Sequence, residues 1–209
     1  MERRKILFSK SSIFILLMLI ILSVSAVLIY FKIRTDEVGL QVKQGSTISF
    51  LLMVGEGESL EYSEAVMLQS STGKCAIFDI PNHVGTLISS KNRIDRIDSV
   101  FDEEEPREYI AQVEELMGME IEHYLYVTTE DLEKLVDLLE GVDLFIANPV
   151  EYQGDERVLI PSGSVTLDGP KAVTYSLYDE PGVRETDRSS RRQKLVQSLL
   201  KKIGDMQTY

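Results

Sequence analysis

Apolar and polar residues follow one another along this chain in blocks of different period, and the periods assign the elements. Residues 12–31 (SIFILLMLIILSVSAVLIYF) carry no charge over 20 positions, the length a helix needs to cross the hydrocarbon of a bilayer. Residues 48–54 form a continuous apolar run closed by Gly55-Glu56-Gly57-Glu58, the pattern of a buried strand and its turn. Residues 65–69 and 75–80 read as two further strands joined through Ser70-Ser71-Thr72-Gly73, and Pro81-Asn82-His83 ends the second. Residues 89–98 are polar and charged and give little signal.

Helical periods begin beyond that point. Asp102-Glu103-Glu104-Glu105-Pro106 marks a helix start, with acidic residues ahead of a proline at the first helical position. That makes the acidic run a dipole-matched cap rather than a metal site. Tyr109, Ile110, Val113, Leu116 and Met117 then share one face until Gly118 stops them. Residues 121–127 alternate as a strand. Thr128-Thr129-Glu130-Asp131 resembles a capping box opening a helix with Leu132, Leu135, Val136 and Leu139, closed by Gly141. Residues 142–147 form another strand. Strands alternating with helices predict an α/β layer domain with the sheet in the middle. His123 and Tyr126 fall on sheet faces and take no chemical role.

The last helix carries the candidate chemistry. Leu195, Val196, Leu199, Leu200 and Ile203 make one apolar stripe of 3.6-residue period, and Arg188 and Arg191 continue it backwards. Both arginines should therefore point toward the domain interior at the helix N-terminal end. Cations there oppose the helix dipole, whereas an anionic ligand would be drawn by dipole and guanidinium forks together. A solvated cluster, or pairing with the chain's own carboxylates, accounts for the same residues.

Charge settles the orientation of the apolar span. Glu2, Arg3, Arg4, Lys5 and Lys10 precede it with a net of +3, so the N-terminus should stay inside and the remainder be exported. Val24-Ser25-Ala26 resembles a signal-peptide cleavage site, but residues 27–31 prolong the apolar run past it and favour a retained anchor. The expected organisation is a cytoplasmic tail (1–11), a single-pass transmembrane anchor in the cell membrane (12–31), a linker (32–46) and an extracytoplasmic domain (47–209). Beyond residue 35 the net charge is −17, which repels nucleic acid and argues against a DNA-binding regulator. The single cysteine, Cys75, excludes an internal disulfide, and its apolar setting predicts a buried thiol. His83 and His123, the two histidines, have no metal-ligand spacing around them.

Two segments carry a resemblance. Ile160 to Tyr175 (IPSGSVTLDGPKAVTY) fits the pattern Pro-x-Gly-x-x-x-Leu-x-Gly-x-x-Ala-x-x-Tyr through Pro161, Gly163, Leu167, Gly169, Ala172 and Tyr175. Glu185-x-x-Arg188-x-x-Arg191-Arg192-Gln193 is similar to Asp-x-x-Arg-x-x-Arg-Gln-Gln. With residues 114–143, these resemble the LytR–CpsA–Psr family, over roughly residues 48–204. The resemblance implies a three-layer α/β/α domain with a central mixed sheet, anchored by one N-terminal transmembrane helix. It implies binding of a polyprenyl-pyrophosphate-linked glycan and its transfer to peptidoglycan or another envelope glycan. The implied site comprises Arg188 and Arg191 as catalytic groups and Arg184, Arg188, Arg191, Arg192 and Gln193 on the substrate. Mg2+ would sit on Glu64 and Glu185. Such a transfer gains from cationic forks and a hard divalent ion, because charge spreads over the phosphoryl oxygens.

Departures from the pattern bear on catalysis. Asn82 and His83 stand where the family has an arginine and an aspartate, and Leu177 and Asp179 where it has two arginines. Glu64, Ala65 and Glu185 replace the metal-side residues. A hydrogen bond to a charged group contributes about 1.5–3 kcal/mol, so three lost arginines represent on the order of 4–9 kcal/mol if additive, which neighbouring groups rarely are. The expectation is a binding protein with weakened or lost catalysis; the alternative is an active phosphotransferase with a rearranged clamp.

Overall fold

The computed structural model describes residues 44–153, 157–179 and 184–206, together with Met18, Gln41, Val42 and Gly182. The expected tail, and all of the expected anchor except Met18, lie outside the described residues. No helix among the described residues is long and apolar enough to cross a membrane. The chain forms two compact units, residues 1–48 with 69–72, and residues 49–68 with 73–209. In the first, the Ser70 backbone N–H and hydroxyl both donate to the Ser46 carbonyl, at 3.2 and 2.9 Å. The second unit positions the site.

In chain order the strands and helices are β1 (Thr47–Glu56), β2 (Ser59–Gln69), β3 (Lys74–Ile80), β4 (Gly85–Ile88), β5 (Arg93–Arg96), α1 (Arg107–Met117), β6 (His123–Thr128) and α2 (Thr129–Leu138). There follow β7 (Val142–Ile146), β8 (Val150–Gln153), β9 (Arg157–Ile160), β10 (Gly163–Leu167), α3 (Gly169–Leu177) and α4 (Glu185–Met206). The central mixed sheet runs β3-β2-β1-β6, with β1 and β6 parallel and Leu52 opposite Leu125. The pairs β7–β10, β4–β5 and β8–β9 make two-stranded antiparallel additions.

The continuous apolar run of β1 reflects burial on both faces. Successive side chains of a strand point to opposite sides. Leu51 and Met53 therefore enter a core with Ile88, Ile97, Tyr109, Ile110 and Val113. Leu52 and Val54 enter a second core with Leu132, Val136, Ala172, Tyr175, Leu195 and Leu199. The Leu195–Leu199 stripe of α4 is buried as its period requires.

Caps follow the sequence closely. The Asp131 N–H donates to the Thr128 hydroxyl at 3.0 Å, and Gly118 closes α1 in the left-handed conformation at φ 65°. Pro106 takes the cap position just before α1 rather than the first turn. Two expectations need correction. Cys75 is exposed, because β3 is the edge strand and pairs with β2 alone, so its apolar run is covered on few sides. Residues 89–98, which gave little signal, hold β5 and two short 3-10 turns.

The Leu167-Asp168-Gly169 triplet joins sheet to helix. Leu167 is buried, and the Asp168 carboxylate caps α3 by accepting from the Lys171 N–H at 3.0 Å. The Gly169 N–H donates to Asp137 Oδ1 at 2.8 Å, which ties α3 to the end of α2. A Cβ at Gly169 would run into the Glu133 carbonyl oxygen, so the two helices approach as closely as a bare backbone allows. Gly169→Ala should lower unfolding stability by about 1–3 kcal/mol, read from the urea midpoint at constant m-value; an unchanged midpoint would show that α2 and α3 can part without cost.

Candidate functional site

The arginines of interest occupy the first two turns of α4 and the residue before it. Successive helical residues lie 100° apart, so Arg188 and Arg192 share one side while Arg191 turns away from Arg192. The structure divides them accordingly. Arg184 is exposed and lies 3.4 Å from Asp187. Arg188 Nη1 lies 2.5 Å from Asp179 Oδ2, and its Nη2 is bonded to Glu185. Asp179 and Glu185 together neutralise Arg188.

Arg192 is the most enclosed of the four. Its Nη1 lies 3.2 Å from Asp79 Oδ1 on β3 and 4.0 Å from Glu185 Oε1. Its Nε donates to the Ser176 carbonyl at 3.3 Å, and its guanidinium stacks 4.9 Å over the Tyr62 ring. The other Asp79 oxygen accepts from the Ser189 hydroxyl at 2.7 Å. Only 2% of the Asp79 side chain and 11% of that of Arg192 meet solvent. Gln193 Nε2 donates to the Ile77 carbonyl at 3.1 Å, on the open edge of β3.

Arg191 faces elsewhere. Its Nη2 donates to the Tyr178 carbonyl at 2.5 Å, and its guanidinium lies 5.1 Å over the Tyr178 ring. Burial draws its pKa below the usual arginine range. It lines a half-open cavity of about 360 Å³ with Lys194, Asp187, Ser190, Tyr175, Tyr178 and residues 146–150. Arg188 Nε and Arg191 Nε are buried without a hydrogen-bond partner.

Among the positions that depart from the family pattern, Asn82 serves the fold. Its side-chain amide donates to the carbonyls of Leu60 and Glu61 at 2.5 and 2.8 Å, pinning the loop after β3 to the start of β2. Leu177 packs against the α4-side core. His83 is exposed.

Glu64 is wholly buried, and neither carboxylate oxygen has a hydrogen-bond partner. Burial, and next the nearby Asp79 charge, push its pKa up to about 8, with Arg192 pulling the other way. Burial thus favours its protonated form. Burial also raises the neighbouring Tyr62 phenol above its ordinary range.

The expected magnesium ligands do not fit that ion. Glu185 is engaged by Arg188 and lies near Arg192, while Glu64 is wholly buried. No group of three or more His, Cys, Asp or Glu side chains able to hold a metal ion occurs among the described residues. Sequence reasoning missed Asp79. Its signal was available: a carboxylate inside the apolar run of residues 75–80, matched by an arginine at 192 where the resembled motif has glutamine.

The raised Glu64 pKa fixes the sign of a pH effect. Between its ordinary value near 4.5 and about 8 the folded chain holds a proton that the unfolded chain releases. Its contribution is then fully present below pH 4.5 and is lost as pH rises toward 8, by at most about 1.4 kcal/mol per pH unit. Glu64→Gln should flatten this slope and be more stable than wild type at pH 8, measured by urea unfolding from pH 5 to 8. Parallel curves for the two proteins would mean Glu64 ionises normally.

Known proteins share this architecture. The model of the LytR_cpsA_psr family matches residues 65–208. A Bacillus anthracis protein named polyisoprenyl-teichoic acid–peptidoglycan teichoic acid transferase TagU is 25% identical over 175 residues, covering 81% of this chain and 57% of that protein. The chain thus spans little more than half the length of the curated relatives it matches. The crystal structure of B. subtilis TagV superposes with a TM-score of 0.67 at 17% identity, covering 76% of this chain and 65% of that one. The family protein YwtF (TagT), with bound octaprenyl pyrophosphate lipid, gives 0.61 at 17% identity over the same shares.

Proposed function

Since the chain belongs to the LytR–CpsA–Psr family, we propose that it is a cell-envelope protein that binds a polyprenyl-(pyro)phosphate-linked glycan and has weakened or lost the transfer step. The observation that carries this reading is the state of the α4 guanidinium groups. Arg188 is neutralised by Asp179 and Glu185 and Arg192 by Asp79, whereas Arg191 opens into a cavity with Lys194 beside it.

A cavity of about 360 Å³ lies at the lower end of the range for small-ligand sites. Arg191 and Lys194 would meet the phosphate there, and the Tyr175 and Tyr178 rings would flank the adjoining sugar or prenyl carbons. Arg191 is already partly desolvated and has an unpartnered Nε, so an anion would gain a charge-assisted hydrogen bond at low added cost. Phosphoryl transfer asks for more, because several cations must act on charge spread over the transition state. Asp179 competes for the one retained arginine that could join. The expected anchor at residues 12–31 would hold the domain at the outer face of the cell membrane, next to lipid-linked glycan and peptidoglycan.

An active phosphotransferase is the second reading, favoured by the activity named for the TagU relative and by the unpartnered Nε of Arg188. The full chain in detergent, titrated with a polyprenyl pyrophosphate, separates the two. Binding without phosphate release is expected. Arg191→Ala should weaken binding tenfold or more, the equivalent of about 1.4 kcal/mol or more. Wild-type turnover abolished by Arg191→Ala would establish the second reading, and absence of binding would sink the first.

A further inference from the structure

A cation already stands between the carboxylates of β3 and α4. The Arg192 Nη1 lies 3.2 Å from Asp79 and 4.0 Å from Glu185, and the same guanidinium is backed by the Tyr62 ring and the Ser176 carbonyl. We propose that Arg192 is a built-in replacement for a divalent ion at this seam, so that the chain neither binds nor needs magnesium there. The claim concerns the metal and rests on the functional reading only for the identity of the anionic ligand.

Three observations support it. First, magnesium demands near-octahedral oxygen ligands at roughly 2.0–2.1 Å and usually keeps several of its waters. Asp79 is 2% exposed and Glu64 has no exposure, so neither carboxylate presents its oxygens to water as a ligand of a hydrated ion would. Second, an ion at Asp79 would sit beside a buried guanidinium of like charge, which it could not displace without also breaking the bond to Ser176. Third, Asp79 supplies the carboxylate that matches the Arg192 charge, at 3.2 Å. The pair is complete in itself.

The test uses magnesium alone. Wild-type chain, treated with EDTA and dialysed, is melted with rising MgCl2 against NaCl of equal ionic strength, and titrated calorimetrically. No saturable heat and no magnesium-specific shift are expected. Arg192→Gln leaves Asp79 buried without its cation, and this variant should gain a saturable magnesium-dependent rise in Tm of roughly 3 °C or more. The double variant R192Q/D79N should lose it. Arg192→Lys keeps the charge and should stay insensitive. Saturable magnesium binding by wild type that D79N abolishes would overturn the proposal, as would a folded R192Q indifferent to magnesium. Should R192Q fail to fold, the wild-type titration decides alone. Failure of the chain to bind inorganic pyrophosphate would count against the functional reading and leave this result untouched.

Discussion

The Asp79–Arg192 pair is the contact on which the site depends. Removing two charges from water is costly, and the attraction between them repays this only when the remaining hydrogen-bonding capacity is also met. Here it is largely met: Ser189 holds the second Asp79 oxygen, and Ser176 with the Tyr62 ring holds the guanidinium. The pair therefore fixes the start of α4 against β3, while the Leu195–Leu199 stripe fixes the rest against the sheet. With α4 locked in this rotation, Arg191 is left on the other side, facing the cavity.

Much of the architecture was legible because it follows from local rules. Thr128 and Gly118 act as caps, β1 is buried on both faces, and the last helix buries the stripe its spacing draws. Side-chain partners were less legible. The spacing of Arg188, Arg191 and Arg192 gives their directions about the helix axis, but not what each meets. That depends on Asp179 before the helix and on Asp79, more than a hundred residues earlier. Cys75 misled for a related reason: an apolar run looks alike in a central strand and an edge strand, and position in the sheet is a long-range property.

The chain has the fold of its family, and fold alone does not determine activity, which rests on the side chains the fold brings together. Asn82 acts as a structural amide, Leu177 makes a core contact, and Asp179 pairs with Arg188. Arg188 and Arg192 are thus held by carboxylates, while Arg191 lines the cavity beside Lys194 and Asp187.

Gln193 extends this logic to the outer rim of the sheet. By taking the Ile77 carbonyl, it occupies one of the main-chain acceptors that a bare rim would offer to a foreign strand. A second polypeptide pairing through the Ile77 carbonyl would have to displace Gln193. The helix that carries the guanidinium groups is thereby also tied to the backbone of the edge strand, so a shift of β3 would carry Gln193 and the start of α4 with it.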